Sequence, residues 1–219
     1  MKKTFFAILV CEFIVLGLTG CGEKETYNDN KNNNDTKEII KLKDPIVEWC
    51  QLYNPNGFDT ITCVISNSNK VDIDVTYDLV YYKDGKEVAR NEDFTNFSVS
   101  SKHNDVIWAN VDIPKSMDVD EVKMENIKVL ESQYKSIDAE IKYLETVDDE
   151  AYFQVKHDKK PTLSNIIFLL YNDENKNKKC DKGELVVVSI ADASEKEDKV
   201  SFVTSGYNYT DYEIYYNAY

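Results

Sequence analysis

The sequence predicts an all-β protein, two tandem immunoglobulin-like β-sandwich domains, and three observations carry that expectation. Residues 71–82, "VDIDVTYDLVYY", alternate throughout, with Val71, Ile73, Val75, Tyr77, Leu79 and Tyr81 on one face and Asp72, Asp74, Thr76 and Asp78 on the other. Period two over twelve residues marks a half-buried strand. The pattern then recurs at an offset of 90: "TITCVISN" at 60 corresponds to "EAYFQVKH" at 150, and "VTYDLVYYKDGK" at 75 to "NIIFLLYNDENK" at 165. A constant offset is the signature of an internal repeat. Lastly, no segment holds a helical period of useful length, "MDVDEVKMENI" being the nearest. Two units follow, 45–132 and 133–219, each of a size and strand content (about seven short strands) that suits a sandwich. A single larger jelly roll is the competing architecture, and the constant offset argues against it.

The N-terminus comes first in the chain. Lys2 and Lys3 precede an apolar run over 5–18, and "LTGC" ends at Cys21. The run is too short to span a bilayer and has the layout of an export signal covering 1–20. The "LTGC" box resembles the lipobox of bacterial lipoproteins, which implies that Cys21 is acylated and becomes the mature N-terminus. Acyl chains buried at ~0.8 kcal/mol per methylene would then hold the chain on the membrane, at its outer face. Residues 22–44 are rich in Asn, Lys and acids with almost nothing apolar before Ile39, so 21–44 reads as a lipidated cysteine on a disordered tether.

In the first hairpin, Asn56-Gly57 is the strongest turn signal in the chain. With those two at the centre of the turn, opposed positions sum to 113 and Cys50 faces Cys63 in a non-hydrogen-bonded pair, close enough for a disulfide. Pro55 lacks a donor that this turn would use, so a register shifted by one stays open, as does a pair of buried thiols. Export favours oxidation, yet Cys180 leaves an odd count. Asp84-Gly85 offers a second tight turn after the alternating strand. Further strands are expected at 106–113, at 199–204 and at 211–219, the last with Tyr212, Ile214, Tyr216 and Ala218 on one side.

In the second repeat "FLLYND", residues 168–173, resembles the motif of FxLYD-type domains, small β-sandwiches of bacterial lipoproteins; "LVYYKDG" in the first repeat is a weaker version with Leu79 in place of the aromatic. That resemblance implies a surface module and no catalytic residues.

Residues 173–184, "DENKNKKCDKGE", place Asp173, Asn175, Asn177, Asp181 and Glu184 at positions one, three, five, nine and twelve. Those are the side-chain ligand positions of an EF-hand calcium loop, in which position seven, here Lys179, gives a backbone carbonyl and Glu at twelve binds through both oxygens. With strands on both sides, the loop is more similar to the calcium loops of Gram-positive surface B-type repeats, which share D-x-N-x-N-G-x-x-D-x-G-E; Lys178 stands where that pattern has Gly. A residue with a side chain there must take a strained turn conformation, and its charge opposes the ion. Cys180 holds position eight, an inward apolar site. The competing reading is a solvated polar hairpin tip, the counterpart of the short "KDGK" of the first repeat.

The formal net charge is −14, and removal of 1–20 takes away Lys2, Lys3 and Glu12, a net +1, leaving −15. Such a surface repels phosphate backbones, so no nucleic-acid partner is expected. His103 and His157 are the only histidines and lie in no catalytic motif; both read as polar loop or strand-end residues. The expectation is therefore a non-catalytic membrane-anchored surface lipoprotein, acting as a protein- or glycan-binding, adhesive or spacer module and stabilised by Ca2+, with an unidentified protein or glycan partner. Tyr207, Tyr209, Tyr215 and Tyr219 are candidate contact residues, tyrosine being a large rigid surface with a polar tip. An envelope assembly or regulatory factor acting on a neighbouring membrane protein is the alternative, and a solute-binding or enzymatic lipoprotein the second alternative.

Overall fold

Wherever apolar and polar residues alternate, the chain runs as a strand. The computed structural model describes residues 41–53, 60–111 and 118–219. The expected signal peptide, Cys21 and most of the expected tether lie outside the described residues, as does the expected Asn56-Gly57 turn. Twelve strands follow one another: β1 (Ile46–Tyr53), β2 (Thr60–Ser66), β3 (Ile73–Lys83), β4 (Lys86–Val99), β5 (Asn104–Asn110), β6 (Glu121–Glu131), β7 (Ala139–Val147), β8 (Glu150–His157), β9 (Ser164–Tyr171), β10 (Leu185–Asp192), β11 (Glu197–Val203) and β12 (Asp211–Ala218). The protein is all-β. The strands pair antiparallel into four three-stranded sheets, ordered β4-β3-β6, β1-β2-β5, β10-β9-β12 and β11-β8-β7.

The same wiring occurs twice. In each half the second strand is central between the first and fifth, and the third is central between the fourth and sixth. Ile61, Cys63 and Ile65 of β2 meet Ile73, Val75, Tyr77, Leu79 and Tyr81 of β3 in one core, all 3% exposed or less. That is the apolar face read from the sequence of β3. In the second half Phe153 and Val155 of β8 meet Ile166, Phe168 and Leu170 of β9. Each half is thus a two-layer sandwich of six strands among the described residues, one fewer than the seven expected. Phe153, Phe168 and Phe202 pack ring on ring, with centroids 4.7–5.8 Å apart.

A third core joins the halves. Trp49, Val64 and Val106 on the outer face of β1-β2-β5 pack against Ile167, Leu169, Tyr171 and Leu185 on the outer face of β10-β9-β12, with Cys180 from the following loop. The four sheets therefore stack in the order β4-β3-β6, β1-β2-β5, β10-β9-β12, β11-β8-β7, and Ile40–Tyr219 is one compact unit. The polar linker adds to the joint: Asp72 accepts hydrogen bonds from the backbone and hydroxyl of Ser136, at 2.9 and 3.0 Å. Ile137 N–H donates to the carbonyl of Ala218, and the Tyr134 and Tyr219 rings lie 4.3 Å apart.

The stack corrects the repeat alignment. An offset of 90 superposes β2 on β8 with faces matched, since 61, 63 and 65 face inward as do 151, 153 and 155. Applied to β3 and β9 it puts the inward Tyr77 and Leu79 on Ile167 and Leu169, which face the third core instead. One residue of slip reverses every side chain of a strand. Because β9 is apolar on both faces, its sequence held no phase by which to detect the slip.

In the β1–β2 ladder the pairs Cys50↔Cys63, Gln51↔Thr62, Leu52↔Ile61 and Tyr53↔Thr60 all keep the sum of 113, and a disulfide joins Cys50 to Cys63. A bulge between Val47 and Trp49 then shifts the register. Asp84 and Gly85 take φ of +49° and +72°, the left-handed pair that a two-residue turn between β3 and β4 requires.

Candidate metal centre and contact surface

The loop at 173–184 joins β9 to β10 and is closed by its own acids. Asp173 accepts the backbone N–H of Asn177 through Oδ1 and that of Lys178 through Oδ2, both at 3.0 Å. Asn175 Oδ1 accepts from Asn177 N–H and Asn177 Oδ1 from Lys179 N–H, at 2.9 and 2.8 Å. Glu184 spans the loop, its two oxygens accepting from Glu174 N–H and Asp181 N–H, both at 3.1 Å. The amides of Asn175 and Asn177 converge on Asp181 Oδ2, at 2.7 and 2.8 Å. Asp173, Asn175, Asn177, Asp181 and Glu184 are thereby gathered into one network, which Lys179 joins as a donor, through its backbone N–H, where the sequence reading expected its carbonyl as a ligand. Among the described residues no three carboxylate, thiol or imidazole groups form a metal cluster.

That donor set is hard oxygen throughout, which fits a calcium-like cation better than a transition metal. A cation would have to compete with backbone N–H groups for Asp173 and Glu184, and with two amides for Asp181. Lys176 and Lys178 both hold φ of +60°, so the loop takes two left-handed residues that carry side chains. Both features weaken an ion site.

The second half of the loop is bound to the other sandwich. Cys180 is 4% exposed, and its carbonyl accepts a buried hydrogen bond from Trp49 Nε1 at 2.8 Å. Gly183 N–H donates to Gln51 Oε1 at 2.7 Å, and Lys182 lies 3.7 Å from Glu121. Burial, reinforced by the charges of Glu213, Glu184 and Asp181, pushes the Cys180 thiol up to about 12, so it stays protonated and acts as an apolar side chain. Beside it a crevice of about 500 Å³ runs between β1 and β6, lined by Trp49, Glu121, Met124 and Lys182 among others. Trp49, Gln51 and Glu121 had no signal in the sequence, since each lies more than 60 residues from the loop residue that it contacts.

The tyrosines divide. Tyr207, 36% exposed, stands in the loop between β11 and β12. Tyr209 packs on the second core and Tyr215 on the third, where its hydroxyl donates to Glu213 at 2.9 Å; the Tyr219 ring covers Tyr134. Three of the four expected contact residues thus serve internal packing. The exposed company of Tyr207 is Val147, Val203 and Tyr212, at 44%, 49% and 37%.

His103 is exposed in a turn, whereas His157 closes β8 at 1% exposure. Its Nδ1 lies 2.6 Å from the Tyr216 hydroxyl and its Nε2 2.8 Å from the Ala193 carbonyl. A carbonyl can only accept, so Nε2 carries the proton and Tyr216 donates to Nδ1: the ring is a structural tie. Compared with known proteins, the chain matches no family model, no curated protein and no solved structure.

Proposed function

We propose that the chain is a non-catalytic lipoprotein held by acylated Cys21 at the outer face of the cell membrane, where its sandwiches form a calcium-stabilised stalk with a contact surface for a protein or glycan partner. What supports the reading most is the polarity of the stack. Lys43, at the end of the expected tether, donates its backbone N–H to Asn69 Oδ1 at 2.8 Å and accepts from Asn69 Nδ2 at its carbonyl at 2.9 Å, beside Asp72 and the 132–138 linker. The bonds between Ile137 and Ala218 and between Asp158 and Asp138 bring the same end of the second sandwich there. Strands β7 and β11 run from that end to the opposite one and β8 and β12 return, and at the opposite end Val147, Val203, Tyr207 and Tyr212 are each exposed. An anchor at one end leaves the apolar and aromatic side chains of the other turned away from a membrane, while Leu130, Tyr134 and Leu163 are exposed at the anchored end, at 70%, 45% and 39%. Hydrophobic and aromatic residues in the open are the usual substance of a contact site.

Cells producing the full chain test this. Cys21→Ser should release the protein from the membrane fraction. A photo-crosslinking residue at Tyr207 on intact cells should give a discrete adduct that the same residue at Lys128, on the first sandwich, does not. Normal membrane retention of Cys21→Ser defeats the anchor, and identical adduct patterns at the two positions defeat the contact surface.

A further inference from the structure

Leu130 is the most exposed large apolar side chain among the described residues, at 70%. It stands on the outer face of β6, where its ladder partner in β3 is Asp74. Tyr134 and Leu163 are exposed as well, in the connections that follow β6 and β8, and the Tyr134 ring lies 4.3 Å from that of Tyr219. Leu163 and Tyr219 exchange backbone hydrogen bonds, each at 3.0 Å. The Tyr219 phenol is pushed up by burial, with the charges of Tyr134 and of Asp74 adding to it, so the ladder partner of Leu130 is a neighbour too. Leu130, Tyr134, Leu163 and Tyr219 therefore belong to one corner of the molecule.

That corner is tied to the point where the chain enters the fold. Lys43 N–H donates to Asn69 Oδ1 at 2.8 Å, and the Asn69 carbonyl accepts the Ser101 hydroxyl at 2.9 Å. Asp72 then takes the backbone N–H of Ser101 at 2.8 Å and that of Ser136 at 2.9 Å, and Ser136 follows Tyr134 in the linker. A polar tether from Cys21 to Lys43 would span roughly 25 Å on average, at ~5–6 Å times the square root of its residue count. Acylation of Cys21 would therefore keep this corner, rather than the opposite one, close to the bilayer.

We propose that the corner rests on the phospholipid surface itself, with Leu130, Tyr134 and Leu163 dipping into the headgroup region. The inference rests on the anchored-lipoprotein reading and adds to it the face that meets the bilayer. Leucine gains by leaving water, and tyrosine suits the boundary because its ring is apolar while its hydroxyl stays wet. Lys102, Lys135 and Lys159 stand exposed in the same connections, with Asp138 and Asp158 beside them, so the charge here is mixed although the chain as a whole is strongly acidic. Lysine stems can lie along the apolar boundary with their heads at the phosphates. Three side chains are too few to hold a soluble protein on a membrane, but a second attachment that keeps them nearby turns their contact into an intramolecular step.

The acylated full chain in phosphatidylcholine vesicles tests this, with a fluorophore placed through Leu163→Cys or, at the opposite end, through Val203→Cys. Cys50 and Cys63 are joined, Cys180 is buried and Cys21 carries the acyl chain, so the label is selective. With a spin-label quencher attached to the lipid near its headgroup, the label at position 163 should lose most of its fluorescence and the label at 203 almost none. Leu130→Asp combined with Tyr134→Ser should return most of the signal at 163. Flotation with the vesicles reports the anchor separately. A chain that floats but is quenched equally little at both positions overturns the contact and leaves the anchor standing, whereas a chain that does not float overturns both. Shielding of the 163 label that grows with the density of the chain, without quenching by lipid, would give the corner to a second copy and overturn the proposal as well.

Discussion

Strands β3 and β9 hold the same place in their sandwiches and are built from opposite patterns. β3 has one apolar face, and its other face carries Asp74, Thr76 and Asp78. Asp78 is held below the usual carboxylate range by a hydrogen bond from Asn126, with Arg90 and the N–H of Asp93 adding to it. β9, "SNIIFLLY", alternates between two cores rather than between core and solvent. The turns that follow differ in the same sense: two residues after β3, against the loop of 173–184 that turns back onto β1. A strand at the end of a stack needs only one apolar face, and a strand inside it needs two. The difference between two copies of one unit is therefore a record of what each copy touches.

Substituting the outer face of each strand breaks this comparison most sharply. Leu169→Lys buries an unpaired charge in the third core and should cost about 4 kcal/mol or more, while Thr76→Lys on the outer face of β3 should stay within about 0.5 kcal/mol. Urea midpoints of the full chain measure both. Equal small effects would mean that the sandwiches do not share a core in solution.

The next largest effect should come from Trp49→Phe, which keeps an aromatic ring in the third core and removes the donor to the Cys180 carbonyl. A buried acceptor left without its partner costs about 1–3 kcal/mol. The same urea titration should show that loss, and proteolysis within 173–184 should speed up. An unchanged cleavage rate would mean that the loop is held by its own network alone.

Calcium sharpens the comparison by the least. With a dissociation constant of ~0.1 mM, about 1 mM free calcium should stabilise the chain by roughly 1.4 kcal/mol, or about 3–5 °C in Tm. Glu184→Ala should abolish the shift. Lys178→Gly should enlarge it, because glycine takes φ of +60° without strain and a positive charge leaves the loop. A Tm indifferent to calcium in both wild type and Lys178→Gly would make the loop a self-satisfied hairpin tip.

What the sequence disclosed followed from locality. The inward face of β3, the register of Cys50 against Cys63 and the Asp84-Gly85 turn are each written within a few residues of one another, where period and turn chemistry can be read. The third core is not, because an apolar residue looks the same whether it faces its own sandwich or the next. "NIIFLLY" was recognisable as buried, but not as buried on both sides. For the same reason Tyr215 and Tyr219 resembled contact residues when their partners were internal. Asp105 could not be picked out among 40 acids: it accepts a buried hydrogen bond from Asn217, in a strand of the other sandwich.

The order of the sheets also sets how such a molecule ends. In the middle of the stack a β1-β2-β5 face of one unit meets the β4-β3-β6 type of face of the next, so the contact joins unlike surfaces and advances by a step instead of closing on itself. Unlike faces repeated in one direction generate an open polymer, each unit adding about 20 Å from two sheets spaced ~10 Å apart. This chain presents the two faces needed for growth, one at each end, and has made both unfit for it. At one end stand Asp74, Asp78, Glu87, Arg90 and Glu125, with Arg90 bound to Asp78, Glu87 and Glu125. At the other, Lys199 lies over the Tyr152 ring and next to Glu145. Stacking a further copy on either sheet would strip water from these charged groups, a cost that the apolar core between the two sandwiches does not carry.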